Sequence, residues 1–253
     1  MIPIRVIPCL SLKGFGLVKT VQFKNPKYIG DPRNAVKLFN EKEVDEIVLL
    51  DISATIEKKT IQFSLIREIV SEAFVPIGYG GGVKTLEDAQ KLIAQGVEKI
   101  IICSYATENP SFINQLSSVL GSQSTVVCMD VRKSFWGKYE IYSHSGTKSL
   151  KINPVDFAIE MEKQGAGEII INSIDNDGMM TGYDITLIKS ISEKINIPVV
   201  ALGGAGNINH LKDAIKQGGV SAVSAGSFFI YHGKHKAVLI NFPQRKEIIN
   251  LSN

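Results

Sequence analysis

Carboxylates stand where three short apolar runs end. Asp51 closes Glu46–Asp51, Asp130 closes Ser124–Asp130, and Asp175-Asn176-Asp177-Gly178 follows Glu168–Asn172. Unbroken β-branched and apolar runs fit strands covered on both faces. A carboxylate at the exit of such a strand can exchange protons if burial or a neighbour tunes it. Asp130 and Asp51 are therefore the candidate acid–base groups. The competing role is a turn cap, and Asp177 fits either a turn ahead of Gly178 or contact with a phosphate-bound water. A near copy of the Asp130 stretch opens the chain, with Cys9 matching Cys128, Leu10 matching Met129, Leu12 matching Val131 and Lys13 matching Arg132. Ser11 stands opposite Asp130. A neutral hydroxyl cannot take a proton at neutral pH as a carboxylate does.

Two glycine-rich turns form a second class of candidates. Gly80-Gly81-Gly82 and Gly203-Gly204-Ala205-Gly206 each follow a strand-like run and precede a helical one. Glycine admits close backbone approach, and a helix N-terminus offers free N–H groups to an anion. Cys103-Ser104 and Ala225-Gly226-Ser227 stand at equivalent places and would complete each cup. Paired cups suit a small molecule phosphorylated at both ends, although glycine also serves plain strand–helix turns. Arg5, Glu46, Lys99 and Glu168 open four of the strand-like runs. They fit a solvated rim or a ring of alternating charge, and the sequence leaves both open. His144, His210, His232 and His235 have no ligand spacing, so no metal is expected, and no cofactor motif is present.

The elements that must position these groups alternate along the chain. Strands are expected at Ile4–Leu10, Glu46–Asp51, Pro76–Tyr79, Lys99–Cys103, Ser124–Asp130, Glu168–Asn172, Pro198–Leu202 and Ala222–Ala225. Helices are expected at Pro32–Lys42, Ile61–Ala73, Leu86–Gln95, Pro110–Leu120, Pro154–Gln164, Asp184–Lys194 and Ile208–Gln217. Eight such units predict a single (β/α)8 barrel over 1–253, with its chemistry at the C-terminal strand ends. A duplication supports it: Gly80–Val83, Leu86–Ala89 and Gln95–Val97 recur as Gly203–Gly206, Leu211–Ala214 and Gln217–Val220, so the barrel is built from two related halves. An insertion at 133–144 reads as a hairpin. From about residue 231 the pattern breaks, and Ala237–Pro243 looks strand-like where a closing helix belongs.

Of the 253 residues, 44% are hydrophobic and 21% charged, enough for a large core and unlike a disordered chain. A net charge of +3 gives no argument for a nucleic-acid partner. Three unpaired cysteines, no leader pattern and no apolar run of spanning length point to a reduced, cytoplasmic protein without a membrane partner.

These residues together resemble the cyclase subunit of imidazole glycerol phosphate synthase. The resemblance covers residues 1 to about 230 and rests on Ile7-Pro8-Cys9-Leu10, Val18-Lys19, Gly30-Asp31-Pro32, Leu50-Asp51-Ile52, Gly80-Gly81-Gly82, Gly165–Glu168, Asp177-Gly178, Gly182-Tyr183-Asp184 and Gly203–Gly206. It implies a barrel docked on a glutaminase subunit through its N-terminal face. Ammonia would pass up the axis through a gate matching Arg5, Glu46, Lys99 and Glu168. At the mouth it would meet a substrate with two phosphates, held at Gly81, Gly82, Cys103, Ser104, Asp177, Gly178, Gly203, Gly204, Ala225 and Gly226. Lys19 matches a catalytic lysine on the family's flexible first loop. In the family an aspartate pair performs the acid–base steps; here Asp130 fills one place and Ser11 the other. Cys103 and Leu202 also stand where the family usually has polar residues. Ser11 and the tail Gly233–Asn241 are similar to a paralogue linked to surface polysaccharides. That likeness implies ammonia delivery to a separate sugar amidotransferase that makes acetamidino groups.

Overall fold

A computed structural model describes residues 4–251; Met1–Pro3 and the last two residues, counted above in the same domain, lie outside them. In chain order the elements are β1 (Arg5–Lys13), β2 (Gly16–Val21), β3 (Lys24–Gly30), α1 (Pro32–Glu41), β4 (Ile47–Asp51), α2 (Phe63–Val70), β5 (Ile77–Gly80), α3 (Leu86–Ala94), β6 (Lys99–Ile102), α4 (Ser104–Glu108) and α5 (Ser111–Leu120). There follow β7 (Thr125–Lys133), β8 (Tyr139–Ser143), β9 (Lys148–Ser149), α6 (Pro154–Lys163), β10 (Glu168–Ser173), α7 (Ile185–Ser192), β11 (Val199–Leu202), α8 (Ile208–Lys216) and β12 (Ala222–Ala225). The chain ends with α9 (Ser227–Ile230), β13 (Tyr231–His232), β14 (Ala237–Val238) and α10 (Arg245–Ile249).

Strands β1, β4, β5, β6, β7, β10, β11 and β12 pair in parallel in that order, and β12 returns to β1. The sheet is thus closed, and the expected (β/α)8 barrel is what the chain forms. Closure divides the apolar residues into two layers. Ile7, Cys9, Val48, Ile101, Val126, Cys128, Ile170, Val200, Leu202 and Ala222 fill the lumen. The alternate residues of the same strands pack outward under the helices, as with Val6, Leu10, Ile47, Leu49, Val127 and Met129. Period-two alternation therefore exists in these strands, but both faces are apolar and the sequence shows a continuous run. Helix starts are fixed locally: Asp31, Thr85, Asn153, Asp184 and Asn207 each accept a backbone N–H of the helix that follows.

Two regions depart from the sequence reading. Residues 16–30, where no element was expected and where the resemblance put Lys19 on a flexible loop, form the hairpin β2–β3, which extends β1 through Ser11↔Val18. Of the strand expected over Ala237–Pro243, only Ala237–Val238 pairs, with Tyr231–His232. Beyond it the chain donates to α9 instead, from Leu239 N to Ile230 O (2.9 Å) and Asn241 N to Phe229 O (2.9 Å). Phe242 then packs on Phe229, and the short helix α10 follows. Its signal was present: Gln244 and Glu247 make a reciprocal capping box, and Ile248 and Leu251 are buried. Among the described residues, no helix is long and apolar enough to cross a membrane.

Candidate active site at the barrel mouth

The N-terminal pole carries the four charges. Arg5 Nη1 donates to Glu46 Oε2 (2.6 Å) and Arg5 Nη2 to Glu168 Oε2. Lys99 Nζ donates to Glu46 Oε2 (2.8 Å) and Glu168 Oε1 (3.1 Å). The four side chains close a ring across the axis; they are not a scattered rim. Both carboxylates are buried, while Arg5 and Lys99 are partly open to solvent. Burial alone would lower the Arg5 pKa, but the charges of Glu168 and Glu46 and their hydrogen bonds reverse this and raise it. Glu46 Oε1 has no hydrogen-bond partner among the described residues. Above the ring lies the dry lumen, and above that a cavity of about 1040 Å³, counted to its open mouth.

Asp130 projects into that cavity. Asn172 Nδ2 donates to its Oδ1 (3.1 Å) and the Cys103 thiol to its Oδ2 (3.3 Å). Burial pushes its pKa up to about 6; the Cys103 and Asn172 hydrogen bonds oppose the rise and the Asp177 charge adds to it. At neutral pH it is mostly a carboxylate but within easy reach of protonation, which suits acid–base exchange. Ser11 lines the same cavity. Asp51 also borders it, but its Oδ1 already accepts Ser53 N, Ser53 Oγ (both 2.9 Å) and Ala54 N (3.1 Å), so it caps the turn after β4.

The β2–β3 hairpin folds over the mouth and buries Lys19, whose Nζ donates to Cys9 O (3.0 Å). Bonds to the turn after β10 tie it down: Thr20 Oγ1 to Asp177 Oδ2 (3.0 Å), Gln22 N to Asp177 O (2.8 Å), Gln22 Nε2 to Asp175 O (2.9 Å) and the Phe23 backbone to the Asp177 carboxylate. Asp177 is partly buried, and that burial raises its pKa against Lys19, Thr20 and the Phe23 backbone, which lower it. Asp177 thus anchors the hairpin as well as the turn before Gly178.

The glycine turns differ in exposure to the cavity. Gly81, Gly82 and Ser104 line it, as do Asp177 and Gly226. Gly81 has φ +127°, and a Cβ there would lie 2.6 Å from Asp51 O, so a side chain is excluded. A Cβ on Gly226 would collide with Lys19 Nζ, so that amine occupies the floor of the second cup. Gly178, Gly203, Gly204 and Ala225 do not border the cavity: Gly178 packs on Thr20 O, Gly203 on Ser173 O and Gly204 on Gly182 O. The Cys103 side chain, expected beside a phosphate, is turned to Asp130 and Cys128 because it continues the β6 strand into the lumen. The Ser104 hydroxyl accepts His144 N (3.0 Å).

Sequence reasoning missed Asn172, Thr20 and Phe23. Asn172 was findable as the polar end of β10, level with Asp130 in the sheet register. The other two depend on how the hairpin folds back.

Compared with known families, the chain matches the histidine biosynthesis protein family over residues 5–236. It belongs to that family. Family relatives include a protein of Pseudomonas aeruginosa provisionally described as imidazole glycerol phosphate synthase subunit hisF2, 50% identical over 96% of this chain and 97% of that protein. A Leptospira interrogans protein, provisionally described as the HisF subunit, is 48% identical over 98% of both chains. The imidazole glycerol phosphate synthase subunit HisF of Alkaliphilus metalliredigens is 40% identical over 92% of both.

Proposed function

We propose that this family member is the ammonia-receiving, cyclase-type subunit of a glutamine amidotransferase pair, and that its ammonia goes to a separate sugar amidotransferase. Ser11 carries the second half of this reading: it stands at the mouth with Asp130 where an acid–base pair would need two carboxylates. The first half draws on the kinship with imidazole glycerol phosphate synthase subunits and on the charged ring beneath an apolar lumen. A glutaminase docks at the N-terminal face and releases ammonia against the ring. Lys99, the slimmer and more flexible of the two cations, swings aside while Arg5 keeps both glutamates paired. Neutral ammonia fits a dry lumen, whereas ammonium would pay the cost of an unpaired charge in it. Ammonia then emerges beside Asp130.

A second reading is favoured by the open first cup and by Asp130 itself. Gly81, Gly82 and Ser104 would hold one phosphate of a bis-phosphate ribulosyl aminoimidazole, and Asp130 would shuttle protons during closure to imidazole glycerol phosphate. Lys19 would meet the second phosphate or a reacting oxygen. Turnover of that substrate with ammonium, measured for the wild type beside Ser11→Asp, separates the two. Ammonia delivery to another enzyme predicts no wild-type turnover and a gain in the variant. Wild-type turnover matching the variant would establish a working cyclase and overturn the delivery reading.

A further inference from the structure

Two of the three cysteines meet a carboxylate at the exit of the lumen. Cys103 Sγ, Cys128 Sγ and one Asp130 oxygen all lie within 4.8 Å of one another. We propose that Cys103, Cys128 and Asp130 bind one thiophilic divalent cation of the zinc class, with a water as the fourth ligand. This goes beyond the proposed function and does not rest on it.

The geometry is close to what such an ion needs. In a tetrahedral site with zinc–sulfur and zinc–oxygen bonds of roughly 2.3 and 2.0 Å, neighbouring ligand atoms sit about 3.5–3.8 Å apart. Cys103 Sγ and Asp130 Oδ2 are already 3.3 Å apart. The backbone that holds the set is rigid. Cys128 and Asp130 are two residues apart on β7 and share its inner face. Cys103 directly follows Ile102, which pairs with Val127 on the neighbouring strand. Asn172 pairs with Asp130 from the other side.

Asn172 orients the carboxylate. Its Nδ2 holds Asp130 Oδ1, leaving Oδ2 toward the thiols, while its own Oδ1 is turned away, to Gly203 at the end of β11. Two sulfur ligands argue against magnesium or calcium and for zinc or its soft relatives. Binding replaces two S–H bonds: the cation, two thiols and one carboxylate give a complex of net charge −1 and release two protons. The buried Lys19 ammonium lies at the same mouth as a counter-charge. Histidine spacing gave no hint of this set, because its members come from adjacent strand ends.

The test uses the full chain freed of any histidine tag. Zinc per chain is measured by mass spectrometry after dialysis, and cobalt(II) is titrated into chelator-treated protein. One equivalent of metal and near-ultraviolet thiolate-to-cobalt absorption are expected. Cys103→Ser and Cys128→Ser should each abolish that absorption, Cys9→Ser should keep it, and Asn172→Ala should weaken binding roughly tenfold. Circular dichroism on each variant separates lost binding from lost folding. Sub-stoichiometric metal, or absorption that survives both serine variants while the fold is intact, would overturn the site. Neither readout needs a glutaminase or a phosphorylated substrate, so a failed turnover assay leaves it unaffected, and an empty site leaves the proposed function standing.

Discussion

Replacing Lys99 by Met keeps most of the side-chain stem and removes one of the two cations in the polar ring. Glu46 and Glu168 would then share Arg5 alone. Both are buried, with side chains 4% and 7% exposed, so neither can recover full hydration. Removing one partner of a buried pair generally costs 3–5 kcal/mol. Here Arg5 still touches both carboxylates, and Lys99 itself is 18% exposed, so the lower end applies, about 3 kcal/mol. For a chain of this size that is a fall in Tm of roughly 6–12 °C. Adding Glu168→Gln restores neutrality and should recover at least about 1.5 kcal/mol, a coupling within the usual range for groups in contact. Denaturant unfolding of the wild type, both single variants and the double variant measures it. A single-variant loss under about 1 kcal/mol with coupling below about 0.5 would mean a solvated rim in place of a buried, closed ring. If the ring also gates ammonia, Lys99→Met should change glutamine-dependent activity of the assembled pair while sparing ammonium-dependent activity.

Three further outcomes follow from the mouth. Free of metal, the folded chain holds the Asp130 proton up to about pH 6, whereas the unfolded chain releases it near 4, so in chelator-treated protein this group's contribution to stability declines as pH rises across that window. Asp130→Asn should abolish that slope and gain up to about 3 kcal/mol at pH 7, less the lost hydrogen bonds; parallel stability–pH curves for variant and wild type would refute the burial of the charge. Gly226→Ala should leave the fold intact but expel Lys19 from the Cys9 carbonyl, costing about 1.5 kcal/mol and making Lys19 reactive to amine labelling; continued protection would show that the amine lies elsewhere. Thr20→Val removes one hairpin tie to Asp177, and tryptic cleavage at Lys24 or Lys27 should speed up about tenfold, with unchanged cleavage counting against a pinned hairpin.

The barrel was legible because its signal is repeated. Each strand is short and apolar on both faces, and five of the helices that follow carry a side-chain cap, so an error of a residue or two at any end leaves the topology unchanged. The candidate site was legible only along the strands. Asp130, Asp51 and the charges at Arg5, Glu46, Lys99 and Glu168 could be found because a strand end fixes which pole a residue occupies. What a strand end does not fix is the partner. Asp51 and Asp130 look alike in sequence, yet one spends its oxygen on a turn and the other faces a thiol and an amide across the sheet. The difference lies in register, which places Asn172 and Cys103 beside Asp130 from strands distant in the chain. The hairpin was hidden for a related reason: its ties run from Thr20 and Gln22 to Asp175 and Asp177, more than half a chain away. Ser11 illustrates the same limit. On the proposed reading it stands in place of a second proton carrier, and the cavity it shares with Asp130 is where a restored carboxylate would act, so Ser11→Asp is the change by which the two readings of function part.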